Sequence, residues 1–108
     1  MSDGVRQVDQ PSADIPARIM EKISGSYTFV GTAGWRTPQL IAVVRTASLY
    51  TADLHIRKGA RKADGKSFLE ILTLGMQFGD KLTIHAAGYA ASEALLAVAA
   101  LPFFAPLA

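Results

Sequence analysis

The chain has 108 residues, enough for one domain with a real hydrophobic core and too few for two. Half of it is hydrophobic and 19% is charged, and a net charge of +2 is too small to argue for a nucleic-acid partner. There is no cysteine, which excludes disulfide frameworks and thiolate metal sites. The opening MSDGVRQVDQ lacks the apolar core of a signal peptide. Pro102 and Pro106 interrupt the apolar tail ALLAVAALPFFAPLA, so it cannot form one spanning helix. No membrane association is expected, and a cytoplasmic location is the default.

Residues 1–13 read as a loose polar tail. In DIPARIMEKIS, Ile15, Ile19, Met20 and Ile23 recur at helical spacing behind Asp14 and Pro16, which predicts a short amphipathic helix. SYTFV, residues 26–30, predicts a strand closed by Gly31. Thr37 followed by Pro38 predicts an N-cap and a first helical position. Leu40, Ile41, Val43, Val44 and Ala47 then share one helical face up to Ser48. ADLHIR, residues 52–57, alternates, with Leu54 and Ile56 opposite Asp53, His55 and Arg57. Lys58 and Gly59 turn the chain into a weak polar strand over residues 61–64.

Ser67, with Glu70 three residues later, predicts a capping box opening the helix SFLEILTLG, which Gly75 stops. Beyond the Phe78-Gly79-Asp80 turn, LTIHA is a strand with Leu82 and Ile84 opposite Thr83 and His85. The last helix spans about residues 90–101, with Ala94, Leu95, Val98 and Leu101 inward, and Pro102 ends it. The order is a helix, then β-α-β-β-α-β-α. That is an α+β open-faced sandwich, a mostly antiparallel four-stranded sheet with helices on one face and an extra N-terminal helix. Leu96, Ala97 and Ala100, continued by Phe103 and Phe104, leave an apolar outer surface that wants a cover. The N-terminal helix is the first candidate, and a homodimer through the last helix and tail is the second.

Arg57, Lys58, Arg61, Lys62 and Lys66 form the one basic cluster, but no aromatic residues interleave with it as base stacking would need. It reads as a solvated strand-and-turn face.

KADGKSFLEILTLGMQFGDKLTIHAAG resembles the second half of the HPr family, the histidine-containing phosphocarriers of the bacterial sugar phosphotransferase system. The resemblance lies in Lys66-Ser67 opening a short helix, LTLG at 72–75, the Gly79 turn, a strand ending in A-x-G, and an alanine- and leucine-rich last helix. It extends back without a gap to about Gly25 and so implies an HPr-like domain over residues 25–101, with 1–24 and 102–108 as additions. The family motif reads G-L-H-x-R-P, its histidine at the start of the first helix. There the free N–H groups and the arginine stabilise a phosphoryl group.

In the same register GWRTPQL puts Gly34 at the glycine, Trp35 at the leucine and Arg36 at the histidine. Pro38 then takes the arginine position and Gln39 the proline. Sliding the register puts Trp35 at the histidine and restores nothing. A guanidinium stays protonated at neutral pH and is no nucleophile, so the phosphocarrier reaction is not expected. By alternation His55 and His85 face outward and read as surface strand residues. The resemblance makes their strands neighbours, so the two imidazoles with Asp53 nearby could hold a divalent metal. No metal site is assigned on that ground, and no cofactor is implied.

Two roles remain. Ser67 matches the serine that an ATP-dependent HPr-type kinase phosphorylates in some members, whose product acts through a transcriptional regulator. Arg36, with Trp35 and Thr37 beside it, predicts a docking point for an acidic group of a partner protein. Phe68 is a further contact by carry-over from the family's helix that docks partner enzymes. The expected function is a non-catalytic regulatory or protein-interaction module. The alternatives are an active phosphocarrier with an unrecognised acceptor, or an assembly subunit unrelated to sugar transport.

Overall fold

The structure, a computed structural model, describes residues 21–31 and 34–107. Its elements are β1 (Lys22–Phe29), α1 (Thr37–Ser48), β2 (Asp53–Lys58), β3 (Arg61–Asp64), α2 (Phe68–Thr73), β4 (Lys81–Ala87), α3 (Ala91–Ala99) and β5 (Phe104–Pro106). The strands form one antiparallel sheet in the order β3-β2-β4-β1-β5. Alternation decides which side is the core. Leu54 and Ile56 of β2, Ala63 of β3 and Leu82, Ile84 and Ala86 of β4 are buried on one face. Against them pack Leu40, Val43 and Ala47 of α1, Ile71 of α2, and Ala91, Ala94, Leu95 and Val98 of α3. This is the expected open-faced α+β sandwich, with helices on one face of the sheet.

Several local expectations need correction. The expected N-terminal helix falls mostly on residues outside those described, but its last turn is strand. Lys22, Ile23 and Ser24 pair with Ala87, Ala86 and His85 of β4. Ile23, counted on a helical face, sits on the inner side of β1 opposite Ala86, because pairing along a whole strand outweighs one turn of helical spacing. The strand therefore starts at Lys22, ahead of the position 26 that its β-formers indicated. The first helix is capped by Arg36, in extended conformation, and not by Thr37. Ile41 points away from the core and is 41% exposed.

Next, the Ser67 capping box is only half formed. The Ser67 hydroxyl accepts from the Glu70 N–H at 3.3 Å, but the Glu70 carboxylate turns back to the Asp64 N–H at 2.9 Å. The Ser67 N–H already donates to the Asp64 carbonyl, so the reciprocal bond has no donor left.

Finally, the tail is structured and the sheet has a fifth strand. After Pro102 the chain turns and runs antiparallel to β1, with Phe104 opposite Phe29. The Val30 N–H donates to the Phe103 carbonyl at 2.8 Å and the Leu107 N–H to the Ser26 carbonyl at 3.2 Å. Pro106 is tolerated because β5 is an edge strand. Phe103 and Phe104, expected to need an outside cover, are buried in the chain's own core, while Leu96 remains 64% exposed.

Glu21 supplies a link that neither end of the chain reveals alone. Ala90, at the start of α3, is left-handed with φ 58° and has no side-chain oxygen to cap the helix. The Glu21 carboxylate does so from 71 positions away, accepting from the Ser92 hydroxyl at 2.7 Å and its N–H at 3.4 Å. A carboxylate there also meets the positive end of the helix dipole.

Candidate functional site

The candidate site is the entrance to α1. Gly34 is buried with φ +75°, and a Cβ on it would stand 2.8 Å from the Met76 carbonyl oxygen. That closeness lets the Trp35 N–H donate to the same carbonyl at 3.2 Å, pinning the segment to the chain after α2. Trp35 then turns inward. Its ring lies edge-on to Phe29 with centroids 4.9 Å apart, and 6.0 and 6.2 Å from Phe103 and Phe104. Its indole N–H is buried without a partner among the described residues. Trp35 is thus a half-buried wall of the core rather than an outward anchor.

Arg36, Thr37 and Pro38 follow on the surface. The anion-receiving quality expected of this helix start is reduced. The Arg36 N–H donates to the Gln39 side-chain oxygen at 3.0 Å, the Gln39 N–H donates to the Arg36 carbonyl at 3.0 Å, and Pro38 has no N–H to offer. Gln39 closes half a capping box; the guanidinium, a donor only, cannot close the other half. What this entrance presents is the Arg36 cation itself, with no carboxylate partner among the described residues.

Beside it, α1 and α2 pack together. On their outer surfaces Ile41, Leu69 and Leu72 are 41%, 70% and 46% exposed. Phe68, expected as a contact, is half-buried and packs on the core, so the exposed apolar side of α2 belongs to Leu69 and Leu72. Ser67 is half-buried at the head of the same helix. Lys66 beside it is tied down, its ammonium donating to the Tyr50 carbonyl at 2.7 Å.

Other members of the basic cluster are also internal fasteners. Arg61 donates to the Thr73 carbonyl at 2.9 Å, and Lys58 to the Gly75 carbonyl at 2.9 Å. Lys58 also pairs with Asp80 at 2.8 Å. The Asp80 carboxyl is held below its ordinary value, first by the Lys58 hydrogen bond and then by the Gln77 N–H. A carboxyl lowered by folding adds stability above its unfolded value, and loses that contribution as pH falls through the folded one. Asp80→Asn should therefore cost about 1 kcal/mol or less at pH 7, the pair being partly exposed and screened. In thermal melts the difference from the unaltered chain should begin to shrink below about pH 4 and vanish as pH falls through the lowered folded value. A difference that stays constant down to strongly acid pH would contradict this.

Neither histidine is at the α1 entrance. His55 and His85 stand opposite one another on β2 and β4, on the face of the sheet away from the core. Among the described residues no three His, Cys, Asp or Glu side chains converge to hold a metal, and no helix is long and apolar enough to cross a membrane.

A family model described as the PTS HPr component phosphorylation site matches residues 33–102. A multiphosphoryl transfer protein of Rhodobacter capsulatus is 45% identical over 51 residues, which span 47% of this chain and 6% of that protein. The phosphocarrier protein HPr of Bacillus anthracis has a similar structure, with a TM-score of 0.69 and 28% identity over 73% of this chain and 94% of its own. The Bacillus subtilis catabolite repression protein Crh, described as a dimer with a swapped domain, aligns with a TM-score of 0.59. It is 27% identical over 65% of this chain and 80% of its own.

Proposed function

The chain belongs to the HPr family of the bacterial phosphotransferase system, and on that premise we propose that it is a non-catalytic regulatory or protein-interaction module that carries no phosphate on histidine. One observation carries this reading. Arg36 caps α1 at the place where the ungapped register would put the acceptor histidine, and a guanidinium cannot take a phosphoryl group. The sheet separates the chain's two histidines from that helix start.

The partner surface is the α1 entrance with the neighbouring helix faces. Arg36 and Thr37 offer a cation and a hydroxyl, and Ile41, Leu69 and Leu72 offer exposed apolar contact. Trp35 acts from behind by holding Arg36 in place, and Phe68 by seating α2 on the core. Proteins of the phosphotransferase system, an HPr-type kinase or a transcriptional regulator are the fitting partners. Ser67 is the position through which a kinase would act, since phosphate at a helix head meets the dipole's positive end. The Bacillus subtilis relative, described as a catabolite repression protein, favours regulation. The likeness to a multiphosphoryl transfer protein supports the second reading, an active carrier with an unrecognised acceptor.

The test has two arms. Incubated with phosphoenolpyruvate and the first enzyme of the system, the chain should acquire no acid-labile phosphate; acquiring it would establish the carrier instead. With ATP and an HPr-type kinase, acid-stable phosphate lost in Ser67→Ala would support regulation through that serine.

A further inference from the structure

Independently of that reading, the sheet's open face carries an arrangement that the proposed function does not use. The chain contains two histidines, and they are direct cross-strand partners, His55 on β2 against His85 on β4. Register partners project to the same side of a sheet with Cβ atoms about 4.5–5.5 Å apart, close enough for two imidazoles to bind one ion. Zinc–nitrogen bonds of about 2.0–2.1 Å fit within that span. Both strands are interior, so the pair is held by neighbours on either side and little ordering is needed on binding.

The surroundings leave room and tilt the charge. His55 is opposite Asp64 on its other side, and His85 is opposite Ser24, which makes a row Asp64, His55, His85, Ser24 across the sheet. In the next row the small Ala87 lies between Lys22 and Asp53. The result is a cleft of ≈ 330 Å³ whose lining includes Lys22, Ser24, Asp53, His55 and His85. Asp53 and Asp64 flank the imidazoles with negative charge, partly opposed by Lys22 and by Arg57, two positions from His55.

We propose that His55 and His85 form a two-imidazole chelate for a borderline divalent transition-metal ion, zinc being the probe, on the open face of the sheet. Imidazole suits zinc, nickel and copper(II) and not magnesium or calcium. Because no third such side chain converges among the described residues, water completes the coordination shell and the ion exchanges freely. The site lies across the sheet from Arg36, so occupancy leaves the partner surface open.

The full chain is titrated with zinc alone in a non-coordinating buffer while the imidazole nitrogens are followed by NMR and the heat by calorimetry. Both rings should shift together and saturate at one ion per chain in the sub-millimolar range. His55→Gln and His85→Gln should each weaken binding about tenfold or more, as loss of a direct ligand exceeds loss of its supporting partner. Both substitutions are on the sheet's outer face and should melt like the unaltered chain. Rings that do not move at sub-millimolar zinc, or binding that survives either substitution unchanged, would overturn the assignment.

Discussion

Phe104→Ala should destabilise the chain by about 3–5 kcal/mol, the usual cost of emptying a buried aromatic position. Phe104 is 6% exposed, pairs with Phe29 across the β1–β5 ladder, and lies edge-on to Trp35. Its loss removes a partner from each of Phe29, Trp35 and Phe103 at once. Edge strands hold by side-chain contact as much as by their ladder, so β5 should also loosen and expose the edge of β1 to self-pairing. The chain has one tryptophan, and it lies in this cluster, so its fluorescence reports the change directly. Denaturant unfolding followed by that signal gives the free energy. A cost below about 1 kcal/mol would mean that the tail is an ornament on a domain that holds without it.

Gly34→Ala should cost about 2–4 kcal/mol, from a left-handed backbone and a Cβ pressed on backbone. Gly75 is the built-in control. Its φ of +63° is in the same region, but a Cβ there would meet nothing within 4 Å. Gly75→Ala should therefore pay only the conformational part, about 1–2 kcal/mol. The excess at Gly34 measures the contact with the Met76 carbonyl, an atom that cannot move without shifting the chain after α2. Because the same contact seats Trp35 and so Arg36, Gly34→Ala should also weaken partner binding more than its surface position suggests. Equal unfolding free energies for the two variants would rule out the close approach.

What local chemistry could decide was legible without coordinates. Alternation put Leu54 and Ile56 inside and His55 outside, and the same rule sorted β4. Ser67 announced the head of α2, and Pro38 put a helix start within one residue of its place. These features depend on side chains within one turn or one strand, where period and capping act through near neighbours. The α1 entrance was legible as chemistry, since an arginine is disqualified as an acceptor by its own pKa wherever it sits.

The remainder was decided by partners distant in sequence. Ile23 has helical spacing yet lies in a strand, because the β4 edge offered Lys22–Phe29 a full ladder and a short isolated helix is marginal in water. The apolar tail was ambiguous between a surface awaiting a partner and a strand. Only the exposed edge of β1, with Phe29 and Trp35 behind it, made the strand the better burial. Glu21 and Ser92 carry no local sign that they belong together. Residue type and spacing thus determined which groups this chain can use chemically, and non-local burial and ladder pairing decided where those groups stand and which of them meet.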